Sequence, residues 1–178
     1  SEPAPYRVWV SEIMLQQTRV EAVRGYFSRW MNALPDIPAL AAADEAVYTK
    51  LWEGLGYYSR VCNLHRAAVL LCEEYGGELP ADYDRLLALP GVGEYTAGAV
   101  ASIAFGLPVP AVDGNVLRVA ARLDNDFTPI TDAKFKKQTR ERFAALMPSD
   151  RPGDLNQSLM ELGATVCLPN GAPHCDDC

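Results

Sequence analysis

No run of apolar residues in this chain approaches the ~18 to 20 needed to cross a bilayer, and the charged residues are spread along its whole length. The sequence therefore offers no membrane span. Positive charge is also in short supply: 16 Lys and Arg stand against 23 Asp and Glu, giving a net charge of -7 and a pI near 4.8. That balance argues against gripping nucleic acid through bulk charge, so any such contact would rest on backbone amides and a local basic face. The opening "SEPAPYRVWV" has neither an initiator methionine nor a signal-peptide core, and the expectation is a fragment whose targeting segment, if any, lies elsewhere. Period-two alternation long enough for a strand is missing, as are repeats and low-complexity stretches.

What is present is ordinary for a globular domain: 178 residues, 49% hydrophobic, enough for one domain or two small subdomains sharing a core. Apolar residues recur at helical spacing, as in Val61, Leu64, Ala68, Leu71 and Tyr75, and again in Leu155, Leu159, Leu162 and Val166. The class is all-α, with about ten short helices. Gly76-Gly77 and Gly106 mark helix ends, and Thr131-Asp132 opens the run "AKFKKQTRERFAALM". Five cysteines is an odd number, and Cys167, Cys175 and Cys178 crowd together, which points to a metal site in a reducing compartment rather than a disulfide framework. Cys62 and Cys72 fall on a helical run and read as buried or part-buried thiols.

Three strings carry chemistry. In "LPGVGEYTAGA", Leu89 to Ala99, two helices are joined by a turn whose glycines, Gly91 and Gly93 around Val92, permit positive backbone angles. Amides at the following helix start would suit a phosphate oxygen whatever the base sequence; a ligand-free helix connection is the plainer alternative. In "VDGNVLRVAAR", Asp113 precedes a helical run, where it would cap free amides and offer a carboxylate able to stabilise positive charge. In "SEIMLQQT", Glu12 has Val8, Trp9, Leu15 and Gln16 as its helical neighbours, a mostly apolar face that should raise its pKa and let it carry a proton.

Together these strings resemble the helix-hairpin-helix DNA glycosylases, and "SEIMLQQT" resembles their adenine-specific branch, the MutY family. The resemblance covers essentially the whole chain. It implies a helix-hairpin-helix fold of two helical lobes: residues 1–106 as a six-helix-barrel lobe with the hairpin at about 83–105, and residues 107–178 as a C-terminal helical lobe with a cluster loop, interleaved in space. The family's first helix and its C-terminal 8-oxoguanine-reading domain would lie outside this chain. The implied activity is excision of adenine opposite 8-oxoguanine or guanine in double-stranded DNA. Glu12 would be the catalytic acid, Asp113 the carboxylate facing the sugar, and Tyr95 and Asn115 the supports of Asp113 and the sugar pocket.

In the string "WEGLGYYSR" the resemblance assigns Leu55 and Tyr57, with Gln17 and Thr18, to wedging the duplex and touching the opposite base, although Leu55 and Trp52 read equally well as core. Gly91, Val92 and Gly93 would bind the DNA backbone. Bifunctional relatives place a lysine where this chain has Tyr95, and no lysine occurs between Lys50 and Lys134, so a monofunctional enzyme is expected. "CLPNGAPHCDDC" resembles the family's loop for a 4Fe-4S cluster, with Cys167, Cys175 and Cys178 as ligands. Its first spacing is one residue longer than usual and its fourth cysteine is absent; zinc on the three cysteines and His174 is the alternative. A monomer is expected, in the bacterial cytoplasm and nucleoid, or in a eukaryotic nucleus or mitochondrion. The rival readings are a thymine-mismatch glycosylase and a non-catalytic DNA-binding module.

Overall fold

The computed structural model describes residues 4–178, which form ten α-helices and no strand among the described residues. In chain order they are α1 (Pro5–Leu15), α2 (Val20–Ala33), α3 (Ile37–Ala41), α4 (Glu45–Trp52), α5 (Ser59–Tyr75), α6 (Tyr83–Leu87), α7 (Glu94–Phe105), α8 (Gly114–Leu123), α9 (Ala133–Leu146) and α10 (Pro152–Thr165). A short 3-10 turn, Cys175–Asp177, follows. None of these helices is long and apolar enough to cross a membrane.

Aspartate sets several of the boundaries. The side chains of Asp36, Asp82, Asp113 and Asp132 accept hydrogen bonds from Ala39, Arg85, Val116 and Phe135, each satisfying an amide that the first helical turn leaves without a partner. Gly76 and Gly106 close α5 and α7 in the left-handed conformation, where the sequence places helix ends.

The main core runs from Tyr6 to Ala104 and is built around Trp9, Trp30 and Trp52, with Trp30 and Trp52 meeting edge to face at 5.6 Å between ring centroids. A smaller cluster joins Val116, Ala120 and Phe143, with Val112, Leu159 and Met160 packed against it. Helix α7 lies between them and is buried nearly all round, which its small residues Ala97, Gly98, Ala99, Ala101 and Ala104 make possible. A Cβ on Gly98 would sit 2.4 Å from the Pro110 carbonyl oxygen, so the segment leading to Asp113 lies directly on the helix.

Asn156 of α10, 1% exposed, fixes that segment: its Oδ1 accepts from the Ala111 amide at 3.0 Å, and its Nδ2 donates to Ser102 Oγ at 2.7 Å and the Val109 carbonyl at 2.9 Å. Removing these bonds would leave several buried polar groups unpaired, at about 1 to 3 kcal/mol each. The consequence is positional. The cap of α8 is held against the first turn of α7, facing the end of α1.

Candidate active site

Three elements converge. Helix α1 contributes Glu12, the first turn of α7 contributes Tyr95, and the N-cap of α8 contributes Asp113. Tyr95 donates its hydroxyl to Glu12 Oε2 at 2.8 Å and lies 3.5 Å from Met160 Sδ. Glu12 is only 9% exposed, and burial pushes its pKa upward; the Tyr95 hydrogen bond works against that rise, and the nearby Asp113 charge adds to it. The Tyr95 hydroxyl is raised as well, first by burial and then by Glu12, so it remains a donor.

Asp113 is placed differently. Its Oδ1 accepts from the Val116 amide at 2.8 Å and its Oδ2 from Asn115 Nδ2 at 2.7 Å. Asn115 Oδ1 in turn accepts from Arg118 Nη2 at 2.9 Å, and Arg118 Nε donates to the Cys167 carbonyl at 2.9 Å. One carboxyl is therefore desolvated with a single hydroxyl donor, while the other is half-buried at a helix start with two nitrogen donors.

A cleft of about 340 Å³ is lined by Glu12, Leu15, Gln16, Gln17, Tyr95 and Asp113. A second, of about 430 Å³, lies against the other side of Tyr95 and Asp113 and adds Thr131, Lys136 and Arg140. Arg140 is ion-paired with Glu94. Met160, Lys136 and Arg140 are site neighbours that sequence reasoning missed. Gln16, one turn after Glu12, was legible on its helix face; these three come from α9 and α10, which carry no motif.

The structure revises several expectations. Tyr95 bonds Glu12 directly, whereas Asn115 alone of the two donates to Asp113. Gly91 has the expected positive φ of 76°, and a Cβ there would meet Asn63 Cβ at 2.7 Å. Gly93, however, is extended, with φ -95° and ψ 178°, because it is the N-cap of α7. Val92 is buried in the main core, leaving Gly91 and Gly93 as the exposed positions of the turn. Glycine at the cap supplies no side-chain hydrogen bond, so the first amides of α7 are uncapped.

Leu55 is also core, only 7% exposed, which removes its side chain as a wedge. Tyr57 is 65% exposed and Gln17 is exposed, and both hold left-handed backbone angles, φ 46° and 58°. Thr18 is half-buried beside them.

Cys167, Cys175 and Cys178 line one mostly apolar cleft of about 290 Å³ with Val119, Leu162 and His174. Arg122 Nη1 donates to Cys167 Sγ at 3.2 Å. No three His, Cys, Asp or Glu side chains among the described residues gather tightly enough to hold a single ion. Cys167, Cys175 and Cys178 are the thiols that would hold a 4Fe-4S cluster, each thiolate on its own iron.

This constellation, a turn with uncapped amides beside two unlike carboxylates, defines the chain's class. Residues 10–147 match the HhH-GPD superfamily of base excision DNA repair proteins, and the chain belongs to that family. It is 46% identical to the adenine DNA glycosylase of Mus musculus over 179 residues, covering 100% of this chain and 35% of the relative. The Homo sapiens adenine DNA glycosylase is 47% identical over 174 residues, covering 97% of this chain and 32% of that protein. The Buchnera aphidicola (strain APS) enzyme of that name is 35% identical over 175 residues, covering 97% and 49%. The chain thus spans about a third of the mouse and human relatives it matches.

Two solved structures share the fold. A thermostable thymine-DNA glycosylase superposes with a TM-score of 0.87 at 27% identity, covering 98% of this chain and 80% of that one. A trapped endonuclease III-DNA covalent intermediate gives 0.86 at 25% identity, covering 100% and 82%.

Proposed function

We propose that this chain excises adenine from mispairs with 8-oxoguanine or guanine in duplex DNA, as a monofunctional glycosylase. The observation that carries the reading is the pairing of two carboxyl groups in opposite environments on one cleft, Glu12 desolvated beside Tyr95 and Asp113 held by two donors. Cleaving an N-glycosidic bond through an oxocarbenium-like state needs both a proton donor and a negative charge. Glu12 meets the first need and Asp113 the second.

The target adenine would leave the base stack and enter the cleft between α1 and α7. Glu12 gives its proton to N7 of the base, the bond from C1′ to the base breaks with its electrons leaving on adenine, and Asp113 stabilises the cationic sugar. Water then adds to C1′ and gives its proton to the Glu12 carboxylate, leaving an abasic site and restoring the acid. Gln17 and Tyr57 are the side chains exposed enough to fill the emptied stack and meet the opposite purine, with Thr18 beside them. Gly91, Gly93 and the uncapped amides of α7 would hold a backbone phosphate.

Tyr95 offers no amine, so the Schiff base that lyases form with the sugar has no donor at this position. The adenine relatives favour this substrate over the thymine of the first structural neighbour, because they are 46% and 47% identical to this chain against 27%. Cys167, Cys175 and Cys178 would hold a 4Fe-4S cluster, whose place beside α8 fits a structural or electron-carrying group outside the proton transfers described above.

Single-turnover assays on duplexes with A opposite 8-oxoguanine, G or T, with the released base identified by mass, test the proposal. Release of adenine from the first two only is expected. Excision opposite T at a similar rate, or release of thymine from a G·T duplex, would overturn it.

A further inference from the structure

Outside the cleft, the densest polar knot among the described residues is built on Arg60, at the start of α5. Its Nη1 donates to the carbonyls of Ile13 at 3.0 Å, Met14 at 3.1 Å and Gln16 at 2.6 Å, which end α1. Its Nη2 donates to the carbonyls of Leu55 at 3.0 Å and Gly56 at 3.3 Å and lies 3.4 Å from Thr18 Oγ1. The guanidinium also stands 5.3 Å from the Trp52 ring centroid and 5.7 Å from that of Tyr57.

One planar cation thus joins two turns that are far apart in sequence. A positive charge at the C-terminal carbonyls of α1 suits the helix dipole, and the fork of donors fixes direction as well as charge. Each turn contains a non-glycine residue in the left-handed region, Gln17 and Tyr57, a conformation that persists only where surroundings impose it. Those two are the exposed side chains assigned above to the emptied base stack. Arg60 is tied through the same carbonyls to the helix that carries Glu12.

We infer that Arg60 is a positioning and specificity-determining residue, setting the Gln17 and Tyr57 probe against the opposite base in register with Glu12. This rests on the proposed adenine excision. Lysine keeps the charge at the end of α1 but cannot span both turns with a rigid fork.

The test is single-turnover excision by wild type and R60K on duplexes with A opposite 8-oxoguanine and A opposite G. The expected result is an 8-oxoguanine to guanine rate ratio that falls by about tenfold, because the 8-oxoguanine rate drops toward the guanine rate; this matches the scale of one base contact. The fraction of active enzyme, read from burst amplitude, should hold. Gly56→Ala is the second variant, since a Cβ there meets no atom within 4 Å but strains a turn with φ 70° whose carbonyl Arg60 binds. The same fall in ratio is expected. An unchanged ratio in both variants, or equal losses on both duplexes, would overturn the role of Arg60. Wild-type protein inactive on both duplexes would overturn the adenine reading itself, and this inference with it.

Discussion

The end of α1 and the start of α8 each present one carboxyl group to the same cleft, and they treat it in opposite ways. Glu12 comes from the middle of an apolar helix face, with Val8 and Trp9 buried one turn before it. Asp113 comes from a helix cap, where amide and side-chain donors are built into the local geometry. Position on a helix thus gives the two carboxyl groups unlike surroundings, one buried against a hydroxyl and one held by two nitrogen donors. The roles proposed for them rest on that difference.

The largest expected effects remove one member of the pair. Glu12→Gln keeps size and polarity but has no proton to give, and adenine excision should fall by at least ~100-fold while duplex binding, measured by gel shift, survives. Asp113→Asn should cause a loss of similar size while keeping the α8 cap, because asparagine caps helices about as well as aspartate; the bond from Asn115 is lost, and stability should fall by only about 1 kcal/mol. A much larger loss of stability would mean that the charge serves the fold rather than the sugar.

Sharper, smaller changes come from Tyr95. Tyr95→Phe deletes the one hydroxyl donor on Glu12 and should slow excision about fivefold, the value of roughly 1 kcal/mol for one hydrogen bond. Since that bond lowers the Glu12 pKa, its loss should also move the alkaline fall in rate to higher pH.

Stability gives a second, smaller reading of the same contrast. Because the folded pKa of Glu12 is raised above its ordinary value of 4.5, the stabilising share of its protonated form is complete below 4.5 and is lost as pH rises through the folded pKa. Glu12→Gln should therefore melt above wild type at alkaline pH, with the gap closing as pH falls through the raised folded pKa toward 4.5. The smallest expected effect is none: borohydride added during turnover should trap no covalent enzyme-DNA adduct, since Tyr95 stands where a lyase carries lysine. Efficient trapping would point to an amine such as Lys136, which lines the neighbouring cleft.

How much of this was legible in the sequence divides along the same physical line. The aspartate caps and glycine stops were readable because they act within three or four residues of themselves. The apolar face around Glu12 was readable for the same reason. The Tyr95 hydroxyl on Glu12 was not, since the partners are 83 residues apart and meet only after α7 packs on α1. Nor was Arg60, whose acceptors are mostly main-chain carbonyls that leave no mark on residue types. Leu55 went to the core although its string suggested a wedge, because a residue between Gly54 and Gly56 can turn inward while Tyr57 turns out.

The most direct test of the central claim is the pH dependence of single-turnover adenine excision from an A opposite 8-oxoguanine duplex. If buried Glu12 is the acid, the rate should be highest where Glu12 is protonated, fall as pH rises through its raised pKa, and in Glu12→Gln be low and without that fall. A wild-type rate that climbed with pH, or a Glu12→Gln variant with the same profile and near-normal rate, would contradict the account.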